Sequence, residues 1–304
     1  MTVGDSTSDP SGLWLRTLRL GERVARKDLP VLPVAILALL VLASIIGPSL
    51  TGHDPYEQDL IDRLAPPSLE HLFGTDILGR DNLTRLLVGS QTTFQVVILS
   101  MAVGGLLGLI LGMIGGYFGG ILDAIITRLT DALLGFPTIF FGLLFAVTLG
   151  PGYASVVIAI SISVWSWFVR IVRSEVLTLK ERDFVAQARV NGSSNLRILV
   201  IHVLPNVLNS FIVLVSINLG SVIIVESTLS FLGAGIPPPK PSWGRMVAEG
   251  QQYLASAWWL TIFPGLAVTV TVVCVFLLGD WARDYLDPIA RQALGTKGAA
   301  DSRT

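Results

Sequence analysis

Apolar residues dominate the chain between residues 29 and 279, in long runs that short polar segments separate. A helix that crosses a bilayer needs about 20 mostly apolar residues. Six runs approach that length, and these are 29–50, 91–122, 129–149, 153–168, 204–225 and 258–279. Because lipid offers no hydrogen-bond partner to an unpaired backbone, each run is expected to be helical. The predicted fold class is all-α, a polytopic membrane protein with six transmembrane helices.

The composition supports a protein embedded in lipid. Charged residues make up 14% of the chain, against about 25% in an average soluble domain. The net charge of −1 gives no bulk attraction to nucleic acid, and no nucleic-acid partner is expected. Cys274 is the single cysteine, so an internal disulfide is excluded. The three histidines, His53, His71 and His202, are far apart in sequence, and no metal site is expected.

The distribution of basic residues orients the spans. If the N-terminus is cytoplasmic, sixteen of the 21 Lys and Arg residues fall on the inner side and five on the outer side. Cytoplasmic loops of membrane proteins carry such an excess, so both termini are predicted to be cytoplasmic. Residues 1–29 lack the apolar core and cleavage site of a secretory signal and are interpreted as an inner tail.

Two long polar segments, residues 51–90 and 227–257, are predicted to lie outside. The first is rich in Asp and Glu, and the second contains a cluster of prolines. Both are too irregular to span the membrane. They would cap a translocation path or receive a binding protein, although an ordinary folded surface loop accounts for them equally well.

Small residues repeat along the second span. Glycine occurs at every fourth position, at Gly104, Gly108, Gly112, Gly116 and Gly120, and so lines one face of the helix. Such a face lets a neighbouring backbone approach closely. Ordinary helix packing explains this stripe better than a substrate site.

Pro137 lies inside the third predicted span, where it removes a backbone hydrogen bond and should kink the helix. A kink there could act as a gate. A static packing bend is the simpler interpretation, and no role is assigned to Pro137.

Ionisable residues are scarce within the spans. Asp123, Arg128 and Asp131 lie near the predicted inner face and Glu226 lies near the outer one, where contact with solvent would explain them. No series of acids crosses the bilayer. The pattern argues against a proton-driven secondary transporter.

The polar segment after the fourth span predicts a helix–turn–helix elbow on the cytoplasmic face. Residues 181–191 suit a short helix, which Asn191 and Gly192 should end. Ser194 or Asn195 can then cap a second helix.

Pro205 follows the second helix of the elbow. It is expected to begin the next membrane helix, because proline is favoured in a first helical turn. Small side chains at Ala186 and Ala188 leave room for a partner groove to receive the first helix. Since interfacial helices are common, this pattern alone does not identify a partner.

The elbow resembles the signature of permeases from binding-protein-dependent ABC importers. That signature is Glu-Ala-Ala, three residues, Gly, and a later Ile-x-Leu-Pro. Here Ala186, Gln187 and Ala188 stand at its first three positions, Gly192 at its glycine, and His202-Val203-Leu204-Pro205 at its end. Ala186 and Gln187 depart from the Glu and Ala of the signature, so the contact of that glutamate is not carried over.

Further blocks extend the resemblance over residues 30–291 and bring it closest to the C-type permease of dipeptide and oligopeptide importers. In chain order they are Gly74-Thr75-Asp76, Leu78-Gly79-Arg80-Asp81, Arg85-Leu86-Leu87 with Gly89, Gly115-Gly116-Tyr117 with Gly119-Gly120, Phe136-Pro137, Glu226 to Gly233, Pro241-Ser242-Trp243-Gly244, Leu278-Gly279-Asp280, Arg283-Asp284 and Leu286-Asp287-Pro288. The number and order of these blocks make the family match specific. A peptide substrate follows less directly, because relatives import nickel chelates, glutathione or glycosides.

The resemblance implies a type I ABC importer (MetI-like) permease fold. It divides the chain into an inner tail at 1–29, a first transmembrane helix with an outer loop at 30–90, a permease core at 91–285 that contains the coupling elbow at 181–205, and an inner tail at 286–304. The residues that would dock an ATPase are Phe184, Ala186, Gln187, Ala188, Arg189, Gly192, Leu204 and Pro205.

The resemblance also implies partners in a bacterial plasma membrane. A second, B-type permease would complete the path, two cytoplasmic ABC ATPases would hold ATP and Mg²⁺, and a substrate-binding protein would deliver cargo outside. The chain contains no Gly-x-x-x-x-Gly-Lys-Ser/Thr phosphate loop, so it is expected to bind no cofactor and to catalyse no reaction. An ATP-independent secondary transporter or channel and a non-transporting membrane scaffold or sensor are the alternatives from other classes.

Overall fold

The structure, a computed structural model, describes residues 29–286, without the side chain of Leu286. Apart from residues 29 and 286 themselves, the predicted tails 1–29 and 286–304 lie outside the described residues. The block that ends at Pro288 is likewise only partly described.

All regular secondary structure in the described part of the chain is helical. The α-helices are α1 Val31–Leu50, α2 Asn82–Phe118, α3 Gly120–Leu134, α4 Thr138–Leu149, α5 Tyr153–Leu179, α6 Asp183–Val190, α7 Asn195–Arg197, α8 Leu204–Phe231, α9 Trp243–Gly250 and α10 Trp259–Leu286. A π-helical segment, Ile198–Val203, joins α7 to α8 without a break. The prediction of an all-α membrane protein is confirmed.

Five helices are long and apolar enough to cross a membrane, and they are α1, α2, α5, α10 and the continuous helix Asn195–Phe231. The pair α3 and α4 meets the same criteria as a unit but is bent by 87°. The structure therefore agrees with six spans when the bent pair is counted as one. The third span is not, however, the single helix over 129–149 that the sequence predicts.

The break between α3 and α4 lies at Pro137. This residue is the N-cap of α4, with extended backbone angles of φ −61° and ψ 139°. The residue before a proline is disfavoured in the helical region, so α3 ends before Phe136 instead of continuing through a kink. The predicted kink at Pro137 is thus a complete interruption of the helix.

The glycine stripe of α2 packs against α5, which runs parallel to it. A Cβ atom added at Gly104, Gly108, Gly112 or Gly116 would lie 2.9 Å or less from an atom of α5. At Gly108, for example, it would lie 2.4 Å from Cβ of Phe168. The structure thus places these four glycines in a helix–helix contact inside the subunit.

One end of the bundle is closed by a cap, which consists of two segments, residues 51–81 and 232–258, together with the first turn of α2, residues 82–85. The indole Nε1 of Trp259 donates to the carbonyl of Thr75, and Nε1 of Trp243 donates to the carbonyl of Leu86, each over 3.1 Å. These bonds join the two segments to the starts of α2 and α10. The cap is therefore a folded layer, and Gly79 shows how tightly it packs, since a Cβ there would overlap the carbonyl of Asp59.

The opposite end of the bundle carries the elbow, residues 181–205. It sits against the final turns of α2 and α5 and the first turns of α8. The 37 residues of α2 span about 55 Å at 1.5 Å per residue. This single helix therefore reaches from the cap to the elbow.

Candidate functional site

The first helix of the elbow, α6, ends in a turn that requires glycine. Gly192 has φ +75°, in the left-handed region. Its N–H donates to the carbonyl of Arg189 over 3.0 Å, and the N–H of Ser193 donates to the carbonyl of Ala188 over 3.0 Å. This pair of bonds is the Schellman motif, which predictably places glycine just past the end of a helix. The stop predicted at Gly192 is present.

The second helix of the elbow differs from the prediction at its far end. Ser194 is the N-cap and accepts from the N–H of Arg197 over 3.4 Å. Helix α8 starts at Leu204 with Pro205 in its first turn, as predicted, but the segment Ile198–Val203 makes it continuous with the elbow helix. Proline has no N–H to donate, and its ring is bulky against the preceding turn. The π-helical segment just before Pro205 accommodates both features, because π turns change the register of backbone hydrogen bonds.

The elbow is mounted on the bundle by an apolar cluster. Val185 and Ala188 face inward from α6 and are buried. The other buried members come from α2, α5, the π-helical segment and α8, and they are Leu109, Tyr117, Val172, Val176, Ile198, Leu199, Val203 and Val207. Ala188 therefore packs within this subunit and cannot line a partner groove as the sequence suggests, because the α6 periodicity turns it toward the core.

Polar contacts join the elbow to the end of α2. The phenol of Tyr117 donates to Oδ1 of Asn195 over 3.0 Å, and the guanidinium of Arg189 lies 5.8 Å from the centre of the Tyr117 ring. At the end of α5, directly before the elbow, Nζ of Lys180 donates to the carbonyl of Gly116 over 3.3 Å. With the apolar cluster, these contacts hold the elbow and α2 together as one body.

The outward face of the elbow holds most of the residues that the sequence predicts for docking. Phe184, Ala186, Gln187, Arg189, Gly192 and Pro205 are exposed, and Leu204 is half-buried. Two further apolar side chains lie on the same elbow, Val190 at 87% and Leu196 at 71% exposure. Sequence reasoning missed both, although an apolar residue on each side of the Gly192 turn is a signal that could have found them. Val190 and Leu196 thus add exposed apolar side chains to the elbow.

Two ion pairs join α3 to α5 near the elbow. Asp123 accepts from Arg173, with Oδ2 2.7 Å from Nη2, and Asp131 accepts from Arg170 over 2.9 Å. The first pair is mostly buried, and the second is more than half exposed. From the sequence, these acids are explained by contact with solvent. For Asp123 this explanation is insufficient, because Arg173 of α5 pairs with its carboxylate.

At the other end of the molecule, the cap contains a cluster of five charged side chains. Nε of Arg80 and Nε of Arg85 lie 2.7 Å and 3.1 Å from Oδ2 of Asp76. Nη2 of Arg85 and Nε of Arg245 lie 3.1 Å and 3.0 Å from the carboxylate of Glu249. Arg85 is almost completely buried. The cluster connects residues 76–85 to α9. This contact could not be predicted from the sequence, because the two segments are far apart along the chain.

Glu226 also differs from its prediction. It is fully buried in α8 and accepts from the hydroxyl of Ser230 over 2.8 Å. The expected contact with solvent at the outer face is therefore wrong, because the cap covers this end of α8.

A cavity of about 90 Å³ lies on the bundle beside the break between α3 and α4. Its polar lining residues are all uncharged, and they are Thr138, Ser163, Trp167, Asn218 and Ser221. Such a surface offers hydrogen bonds and an aromatic face but no ion pair. Apolar side chains of α5 and α8 complete the lining.

Two family models match the chain. Residues 104–292 match the binding-protein-dependent transport system inner membrane component, and residues 20–67 match the N-terminal transmembrane domain of oligopeptide transport permease C.

Several relatives match most of the chain. The dipeptide transport system permease protein of Bacillus subtilis (strain 168) is 35% identical over 95% of this chain and 90% of its own length. The glutathione transport system permease protein of Escherichia coli O6:K15:H31 (strain 536) is 37% identical over 88% of each chain.

Among solved structures, an inward-facing methionine ABC transporter is similar at a TM-score of 0.51 and 17% identity, over 67% of this chain and 96% of that one. An amino acid ABC transporter with histidines gives 0.51 and 16%, over 66% and 93%. At this identity the likeness bears on the fold, and it agrees with the predicted type I importer architecture.

Proposed function

Since this chain belongs to the family of inner membrane components of binding-protein-dependent transport systems, we propose that it forms half of the translocation path of a peptide importer. The observation that carries the proposal is the elbow, an exposed surface that is rigidly fixed to the ends of three membrane helices. The relatives named for dipeptide and glutathione transport support a short peptide as cargo.

The proposed assembly has three kinds of partner besides membrane lipid. A B-type permease would pair with this chain, two ABC ATPases would be recruited inside, one of them to this elbow, and a substrate-binding protein would engage the cap outside. This arrangement rests on the predicted orientation, with both termini cytoplasmic, which follows from the excess of Lys and Arg on the elbow side.

The proposed mechanism is rigid-body coupling. When the ATPases close, the docked elbow would move, and the buried cluster beneath α6 would carry α2, α5 and α8 with it. The path between the two permeases would then open to the other side of the membrane. ATP and Mg²⁺ would be held by the ATPases alone, so this chain would bind no cofactor and would be non-catalytic.

The uncharged cavity is a suitable segment of the path. Neutral hydrogen-bonding groups and the exposed ring of Trp167 would contact a peptide without trapping its charged ends. Glutathione, itself a short peptide, is the second candidate cargo because a relative of nearly full coverage is named for its transport.

Replacement of Gly192 tests the docking role. In Gly192→Val the left-handed backbone becomes costly by about 1–2 kcal/mol, which should distort the turn while leaving membrane insertion intact. We expect peptide uptake to be lost and ATP hydrolysis in proteoliposomes to become insensitive to the loaded binding protein.

Two controls accompany this variant. Gly192→Asn should retain transport, because Asn tolerates the left-handed region. Gly150→Val changes a glycine of similar φ, +83°, between α4 and α5, where a Cβ also meets no neighbour, and it should leave the ratio of peptide uptake to ATP hydrolysis unchanged. Normal uptake and stimulated hydrolysis in Gly192→Val would exclude docking through this turn.

A further inference from the structure

Two histidines and an aspartate meet in the cap. The ring centres of His53 and His71 lie 4.9 Å apart, and Nδ1 of His71 lies 3.1 Å from Oδ1 of Asp81. One ligand atom from each of the three residues falls within 4.8 Å of the other two. The sequence expectation that the histidines are too far apart for a metal site is therefore not met for this pair.

We propose that His53, His71 and Asp81 form a binding site for a divalent transition-metal ion of the zinc type. Imidazole nitrogen and carboxylate oxygen are zinc ligands, and bonds of about 2 Å in a tetrahedral site place the ligand atoms about 3.3 Å apart. The three ligand atoms lie within 4.8 Å of one another, so side-chain movements of about 1.5 Å would bring them to that spacing. Three protein ligands leave a fourth position open to water or another ligand.

The carboxylate is already oriented toward this site. Oδ2 of Asp81 accepts from the N–H of Thr84 over 2.7 Å and from its hydroxyl over 2.6 Å, which caps α2. Its other oxygen, Oδ1, is directed at His71. Asp81 is buried, so the cap fixes this ligand before any ion arrives.

The imidazoles are held as well, and neither is fully engaged. Nε2 of His53 lies 3.2 Å from the carbonyl of Glu70, and the backbone N–H of His71 donates to Ser68. Among the described residues, the second ring nitrogen of each histidine has no hydrogen-bond partner. Each imidazole therefore keeps a ring nitrogen that a metal ion could bind without competition from another described residue.

The surrounding charge favours a cation. Residues 51–81 contain seven Asp and Glu residues against two Arg residues. An excess of one sign raises the local concentration of counter-ions. A bound ion would link the tip of this segment at His53 to the start of α2 at Asp81. This site does not depend on the proposed peptide cargo.

Zinc titration of the complete transporter tests the site. The chain is assembled with its partner subunits, freed of affinity tags and chelated metal, and titrated with ZnCl₂ by calorimetry. We expect saturable binding that His53→Ala and His71→Ala each weaken at least tenfold, and an absorption band of tetrahedral character when Co²⁺ replaces Zn²⁺. Excess Mg²⁺ should not compete, because it prefers oxygen ligands.

His202→Ala is the matched control, since it removes the histidine at the elbow end and should bind zinc as the unchanged protein does. His53→Gln, which keeps a polar side chain at a partly exposed position, guards against misfolding of the alanine variant. Absence of saturable zinc binding, or equal affinity in the unchanged and His53→Gln proteins with all subunits assembled, would overturn the proposal.

Discussion

At the scale of single residues, Gly108 and Gly192 are glycines for different physical reasons. Gly108 leaves space, since a Cβ there would lie 2.4 Å from Cβ of Phe168. Gly192 supplies a left-handed backbone and has open space around it. A sequence marks both positions with the same letter, so only the structure separates a packing requirement from a conformational one.

Gly108→Ala should destabilise the bundle, because the added methyl group forces α2 and α5 apart. Overpacking of this kind costs about 1–3 kcal/mol. Thermal unfolding in detergent measures the effect. Gly265→Ala is the control, since a Cβ at Gly265 meets nothing within 4 Å and its melting temperature should not fall.

Arg85→Met should be the most damaging single change in the cap. It leaves Asp76 without one of its two cations and removes a charge that contacts Glu249, and breaking a buried pair costs about 3–5 kcal/mol. Arg63→Ala removes an exposed arginine of the same cap and should be nearly neutral. Equal melting temperatures for these two variants would show that the charged cluster does not stabilise the cap.

At the scale of helices, the hydropathy pattern predicts that a membrane helix exists better than it predicts where the helix begins and ends. It detects contact with lipid, and so it starts the second span at residue 91 although α2 begins at Asn82. The buried side chains in the first turns of α2 are mostly polar, as at Asn82, Thr84 and Arg85, and the cap covers them instead of lipid. It also misses the continuity of the helix through Pro205, because a π-helical segment has no distinct sequence period.

The ion pairs between α3 and α5 allow a matched comparison. Asp123→Ala should destabilise more than Asp131→Ala, since the Asp123–Arg173 pair is mostly buried and the Asp131–Arg170 pair is exposed. We expect about 1.5–3 kcal/mol for the first change and under about 1 kcal/mol for the second. Unfolding in detergent at moderate salt measures both, and the reverse order would contradict the assignment.

At the scale of the whole molecule, the sequence locates one end better than the other. The elbow could be predicted because its glycine turn, its N-cap residue and its helices all lie within residues 181–205. The charged cluster of the cap could not, because Arg85 and Glu249 are neighbours only after folding. Val190 and Leu196 flank the Gly192 turn and could have been proposed from the sequence, but their exposure depends on which faces of α6 and α7 the bundle buries.

The proposed division of labour predicts how the isolated chain behaves. In proteoliposomes without its partners it should neither bind ATP nor take up peptide, because it is proposed to supply only half of the path and the nucleotide sites are proposed to lie on the ATPases. Nucleotide binding and flux assays test this, with the complete complex as positive control. Uptake by the chain alone, driven by an ion gradient, would favour a secondary transporter.

The length and register of α2 have a mechanical consequence. Its first turn carries Arg85 of the cap, and its last turn carries Tyr117 beneath the elbow. The glycines at every fourth residue fit α2 closely against α5. To slide along α5 and regain this fit, α2 would have to move by four residues, about 6 Å. We therefore expect α2 and α5 to move as one rigid unit. A displacement at one face of the membrane would then reach the other face without passing through a flexible loop.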